Sequence, residues 1–235
     1  MVADGVTDGD AAAGTKRRKL DPERTRQAIL VAAREEFAAN GLSGARVDAI
    51  AARTNTVKRM IYYYFGSKEG LYLAVLEEAY ADIRRVEQGL GLDLLPPVEA
   101  IRRLIEFTFD YEDAHPDFIR LVSIENIHHA KHIAQSKTIR DVNGTVITTL
   151  ARVLDRGRQE GVFREIDAVD VHMLISAVCF FRVSNRYTFG ALFSRDLTDP
   201  ALHTRHKQML IDAVLHLLLR PAGDAARGDV GGQAA

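Results

Sequence analysis

Residues 46–71, RVDAIAARTNTVKRMIYYYFGSKEGL, constrain this chain more than any other stretch. The spacing predicts two short helices joined by a turn at Thr54-Asn55-Thr56, with a longer helix starting just past Ser67. On the second short helix Val57, Ile61 and Phe65 recur at i, i+4 and i+8, an arc of roughly 80° at about 100° per residue. Lys58, Arg59, Tyr62 and Tyr63 fill the opposite side. Two cations and two phenols on one face suit a nucleic-acid groove, because cations meet phosphates and flat, polar-tipped rings meet base edges and backbone.

The charge distribution points the same way. The 235 residues carry a formal net charge of −1, but residues 16–69 hold 12 Lys and Arg against 6 Asp and Glu, a net of +6, which leaves −7 on the rest. A basic front and an acidic remainder predict a division of labour, with the front meeting a polyanion. The single cysteine, Cys179, excludes an internal disulfide and lies in an apolar run, as a small buried hydrophobe would. No stretch approaches 18 uncharged apolar residues, and the N-terminus lacks the apolar core of a signal peptide. The expectation is a cytoplasmic protein with no membrane segment.

Residues 1–20 read as a disordered arm ending in Lys16-Arg17-Arg18-Lys19, either a solvated charge run or an arm reaching DNA phosphates. Asp21 as N-cap, Pro22 at N1 and Glu23 in the first turn open a first helix, with Ile29, Leu30, Ala33 and Phe37 inward and Asn40-Gly41 as its stop. A loop over 42–45 leads to a helix over 46–53 with Val47, Ile50 and Ala51 inward. Ser67 is placed to cap a helix over 68–88 whose stripe is Leu71, Val75, Leu76, Ala79, Ile83 and Val86. Further helices are predicted to end near 115, over 117–134, 137–160, 168–189 and 201–219, followed by an unstructured tail over 221–235. The fold class is therefore all-α, with about nine helices. A three-helix helix-turn-helix head occupies 21–67 and a helical domain 68–220. Residues 169–183 and 208–219 are apolar nearly all round, which predicts burial by a second subunit: two helices from each protomer across a two-fold axis.

These features resemble the tetracycline-repressor (TetR/AcrR) family of bacterial transcriptional regulators, most strongly over 24–76. The resemblance rests on Ile29, Ala32, Phe37, Gly41, Val47, Ile50, Ala51 and the run from Ile61 through Tyr64, Phe65, Gly66, Ser67, Lys68 and Glu69 to Leu71. It implies a homodimer, paired through the last two helices, that binds a palindromic double-stranded DNA operator, represses, and is released by a small-molecule effector. An activating or architectural DNA binder without an effector is the alternative. By position, Lys58, Arg59, Tyr62 and Tyr63 would face the major groove, and Arg46, Tyr64 and Lys68 the phosphates. Tyr64 lies near the core face as well, so packing stays open for it. The turn departs from the family's Ala-Gly-apolar-Ser/Thr: Asn55 can replace the glycine in a left-handed conformation, and the reversed Thr56-Val57 predicts that Thr56 caps the reading helix and Val57 joins its core stripe.

The resemblance also implies a ligand-binding and dimerisation domain with a pocket. Tyr111, Phe118, Glu125, Asn126 and His129 on the middle helices, and Phe181, Arg182, Asn185 and Arg186 on the apolar helix, are polar or aromatic candidates for its wall. Glu125, His128, His129 and His132 would share a helical face, yet no second cluster completes a coordination sphere, so no metal and no cofactor is expected. Nucleophile–base pairs, Gly-rich phosphate loops and complete metal motifs are not found, which argues against an enzyme.

Overall fold

A computed structural model describes residues 21–221, and among them the regular structure is helical: ten α-helices, two short 3-10 turns and one isolated antiparallel bridge between Phe163 and Leu219. The expected basic arm, Lys16 to Lys19, and residues 222–235 of the expected tail lie outside the described residues. No single helix among the described residues is long and apolar enough to cross a membrane.

Helix α1 (Pro22–Gly44) opens on Asp21, whose carboxylate accepts from the Glu23 amide at 3.1 Å. Gly41, at φ 67°, breaks it where Asn40-Gly41 predicts, but residues 42–44 form one more helical turn rather than a loop. Helices α2 (Val47–Arg53) and α3 (Lys58–Phe65) follow, then α4 (Lys68–Gln88), capped by Ser67 through the Gly70 amide. Ile29, Leu30, Ala33, Phe37, Ile50, Ile61, Leu71 and Tyr72 make one buried core for these four helices, and Leu121 and Ile139 enter it from behind. On α4 the expected stripe holds as far as Ile83. Beyond it Val86 is exposed and Glu87 is buried in its place.

The rear of the molecule comprises α5 (Pro97–Ala114), α6 (Pro116–Ile127), α7 (Lys137–Gln159), α8 (Ala168–Ser184), α9 (Arg186–Phe193) and α10 (Pro200–Leu218). Ser136, Asp167 and Asp199 cap α7, α8 and α10 with their side-chain oxygens. A second core joins α5, α7, α8 and α10, and a smaller one joins α4, α6 and α8.

Two expected helices are each broken. The one over 117–134 ends at Ile127, because His129 and Ala130 both take left-handed backbone (φ 55° and 57°) and turn the chain back on itself. The Glu125 carboxylate holds that turn. It accepts from the amides of His132 and Ile133, both at 3.1 Å, and pairs with the His132 ring at 2.9 Å. Two left-handed non-glycine residues cost of order 1–2 kcal/mol each, and these bonds offset that cost. The shared face of Glu125, His128, His129 and His132 therefore does not exist, since only Glu125 of the four lies on α6. The helix over 168–189 breaks at Ser184-Asn185, and α8 and α9 meet at 71°. Both residues favour side-chain hydrogen bonds over helix continuation, and the Asn185 amide group donates to Ser184 at 2.8 Å.

Candidate DNA-reading head and ligand cavity

The head is held by a buried carboxylate. Glu36, 4% exposed, accepts from the Arg46 amide at 3.0 Å and from the Asn40 carboxamide at 3.1 Å, with the Arg53 guanidinium 3.4 Å away. One side chain thus ties the end of α1 to both ends of α2. In the turn that follows, Thr54 donates to the Ile50 carbonyl at 2.9 Å, Asn55 takes φ 49°, and the Thr56 amide reaches Ala51 O at 3.0 Å.

The turn resolves differently from the sequence expectation. Val57, not Thr56, is the N-cap residue of α3, with extended backbone (φ −111°, ψ 149°), no side-chain cap bond and 62% exposure. Val57 therefore does not join the core stripe, and α3 begins at Lys58. Its inward face is Ile61, fully buried, with Tyr64 and Phe65 half-buried against the head core. Lys58, Arg59, Tyr62 and Tyr63 are exposed together on the other side, Tyr63 at 77%. Lys58 lies 3.4 Å from Asp48. Arg59, Tyr63 and Asn55 border an open groove of about 890 Å³ that runs to Arg24 and Thr25 at the start of α1.

After α3 the chain must reverse quickly. Gly66 takes φ 75°, and Ser67 accepts from Gly70 N at 3.0 Å. A Cβ on Gly70 would stand 2.2 Å from the Phe65 carbonyl oxygen, so only glycine lets α4 start this close to α3. Lys68, in the first turn of α4, donates to Ser43 O at 3.3 Å, and Arg46 is exposed at the start of α2.

Behind the head, α4, α5, α6, α7 and α8 line a cavity of about 540 Å³ that opens to solvent beside Met173, 63% exposed. Tyr80, Phe118 and Phe180 supply rings, Tyr80 edge-on to Phe118 at 5.2 Å. Its polar groups are mostly engaged. Arg84 pairs with Glu87 and donates to Asn143 at 3.1 Å. His172 lies 3.5 Å from the Ser176 hydroxyl, and burial, helped by Arg84, lowers its pKa. Glu112 is the exception. It is 6% exposed, its Oε2 has no hydrogen-bond partner, and burial pushes its pKa up to about 8 against a smaller opposing pull from Arg84.

Two contacts tie this region to the head. Arg34 of α1 bonds Asp117 at the start of α6 and faces Asp82 of α4 at 3.6 Å. Buried Tyr72 stands edge-on to Phe37 of α1 and to His132 of the Glu125 turn, at 5.1 Å each. Burial raises the Glu125 pKa, but the bonds from the Ile133 amide and from His132 outweigh it and hold the carboxylate below its usual range.

Residues 29–75 match the description "Bacterial regulatory proteins, tetR family", and residues 97–214 match "Tetracyclin repressor-like, C-terminal domain". The chain belongs to the TetR family. It is 35% identical over 204 residues to the HTH-type transcriptional repressor NicS of Pseudomonas putida, covering 86% of this chain and 96% of that one. It is 32% identical over 164 residues to the HTH-type transcriptional repressor SCO4008 of Streptomyces coelicolor, covering 69% and 80%. The crystal structure of SCO4942 from Streptomyces coelicolor superposes with a TM-score of 0.64 at 30% identity over 84% of this chain and 99% of that chain. This TetR-family chain is thus a helix-turn-helix transcriptional regulator with an all-helical C-terminal domain.

In this TetR-family fold the nine side chains singled out for a pocket scatter. Phe118 and Asn126 line the cavity. Tyr111 stacks on His115 at 3.9 Å. Glu125 is committed to its turn, and His129 is exposed in it. Phe181 is 50% exposed on the outer face of α8. Arg182 is buried 3.2 Å from Asp113 and over the Phe109 ring. Asn185 sits at the α8–α9 break, and Arg186 lies over Tyr187. The cavity instead recruits Tyr80, Arg84, Glu87, Glu112, His172 and Phe180. One signal for them stands in the sequence: Glu112 continues the stripe of Ile105 and Phe109 at helical spacing, a charge on an otherwise apolar face.

Proposed function

We propose that this chain is a homodimeric repressor that reads a palindromic DNA operator through α3 and leaves it when a small-molecule effector fills the cavity. The observation that carries the reading is the split of α3 into a buried face and a fully presented face of Lys58, Arg59, Tyr62 and Tyr63. Arg46, Lys68 and the hydroxyl of half-buried Tyr64 would contact phosphate at its edges, with the exposed amides at the start of α4. Repression is inferred from the relatives, which are named repressors. Pairing through α8 and α10 is supported by the apolar side chains they leave outside: Val169, Met173 and Phe181 on α8 and Met209 on α10, each at least half exposed. A two-fold dimer would place its two reading helices on half-sites about one DNA turn apart, in the cytoplasm, where operator and effector meet. The contacts from Arg34 to Asp117 and from Tyr72 to His132 offer a route for the cavity to bias the head, with a coupling expected on the order of 1–3 kcal/mol.

The test is selection of bound sequences from random DNA, then fluorescence anisotropy on the selected site. Tyr63→Ala should relax base preference. Lys68→Ala, at a phosphate position, should weaken binding about equally across sequences and lower the salt slope by about one unit per half-site. Wild-type affinity and preference in both variants would remove α3 as the reading helix.

A further inference from the structure

Among the described residues four glutamates are buried, and three have their work accounted for: Glu36 staples α1 to α2, Glu87 pairs with Arg84, and Glu125 holds the turn after α6. Glu112 does nothing for the fold that the structure reveals. Its Oε2 is unpartnered within the cavity wall, and a buried acid without a partner is a cost that a fold tolerates poorly. The neighbouring cation, Arg84, makes no hydrogen bond to it; its Nε and Nη1 go to Asn143 and Glu87. The rest of the wall is largely apolar, and three aromatic rings line it.

Resting on the effector reading above, we propose that the cavity takes an organic cation: a basic nitrogen on an apolar or aromatic body, with the protonated nitrogen on the Glu112 carboxylate and the body against Tyr80, Phe118 and Phe180. A desolvated ammonium needs a counter-charge and gains from ring faces within about 6 Å. Glu112 is the buried group able to provide that charge without breaking another pair. Protons balance in a way that can be measured. Burial holds the Glu112 proton up to about pH 8 in the protein alone. A ligand arriving as an ammonium at pH 7 therefore displaces that proton to solvent. A free amine would instead take the proton from the carboxyl, and none would be released.

The experiment uses the full chain and three probes that share a phenylethyl body, 2-phenylethylamine, 2-phenylethanol and 3-phenylpropanoate, in calorimetry at pH 7 in two buffers of different ionisation enthalpy. The amine should bind about tenfold or more tighter than the other two, as expected of a desolvated charge pair, and release close to one proton. Glu112→Gln, which keeps the shape, should remove that advantage and leave the alcohol within about twofold. The wild-type ranking does not depend on how well the variant folds. Tighter binding of the alcohol or the acid overturns the proposal, as does equal amine affinity in the variant, or binding of none of the three at millimolar concentration. Operator release is measured in parallel by anisotropy. An amine that binds as described and leaves operator affinity untouched upholds the ligand class and removes the effector reading instead.

Discussion

Glu36 in the head and Glu112 behind it are buried to nearly the same degree, at 4% and 6% exposed, and the chain treats them oppositely. Glu36 receives an amide, a carboxamide and a guanidinium within 3.4 Å. Glu112 leaves an oxygen with nothing to bond. The difference follows from what each region has to do. A reading head must hold two short helices, α2 and α3, in one arrangement against α1, and helices that short have little stability of their own, so Glu36 serves as a fastener. A ligand cavity must leave some polar capacity unspent, because a group already satisfied by the protein has nothing to offer a ligand. Among the four buried glutamates, the one with an open oxygen is thus the one on the cavity wall.

The largest effect should come from unfastening the head. Glu36→Ala strips the Arg46 amide and the Asn40 carboxamide of their acceptor at the α1–α2 joint and leaves Arg53 with Glu35 alone. The expected loss is about 2–4 kcal/mol, a fall in melting temperature of roughly 5–15 °C for a chain of this size. Glu36→Gln keeps an acceptor for the amide and should lose about 1 kcal/mol. Urea melts followed by circular dichroism measure both. A loss under about 0.5 kcal/mol for the alanine variant would break the contrast between the two glutamates.

Removing the open carboxylate should do the reverse. The folded chain keeps the Glu112 proton up to about pH 8, whereas the unfolded chain releases it near 4.5, the ordinary value for a glutamate. Folding therefore takes up a proton between about pH 5 and pH 8, and stability falls as pH rises through that window. Glu112→Gln removes this fall and should be more stable than the parent at pH 8, by on the order of 1–3 kcal/mol. Melts of both proteins from pH 5 to pH 8.5 give the slopes. Parallel slopes would mean that Glu112 is not the group left open.

The same contrast explains which parts are legible in the sequence. The head is built from residues close along the chain, so periodicity and caps locate α1, α2, α3 and α4, and the exposed cations and phenols of α3 follow from its angles. The cavity draws on five helices, and only Phe118 and Asn126 among its residues stand out from sequence. Polar residues on apolar helices are the available signal, and it does not distinguish a wall residue from a buried pair such as Arg182 and Asp113. The breaks after Ile127 and Ser184 escape for another reason. No glycine or proline marks either, and the first is held by Glu125 reaching forward across seven residues to His132. Val57 shows the limit at single-residue scale: angle places it on the stripe with Ile61 and Phe65, but the chain is still extended there, so the helical angle does not apply.

The smallest effect tests the turn that aims α3. Asn55 is exposed, takes φ 49° and borders the groove beside Arg59 and Tyr63. Two roles are available to it, conformation and contact, and two substitutions separate them. Asn55→Gly keeps access to the left-handed region, and its native relief is nearly cancelled by the added freedom of the unfolded chain, so stability should stay within about 0.5 kcal/mol. Asn55→Ala keeps neither the carboxamide nor the preference for that region and should cost about 1 kcal/mol. If Asn55 serves conformation alone, the glycine variant binds the selected operator as the parent does and the alanine variant binds more weakly, because only the alanine tilts α3. A glycine variant that folds normally and yet loses base preference would move Asn55 from the joint to the reading surface.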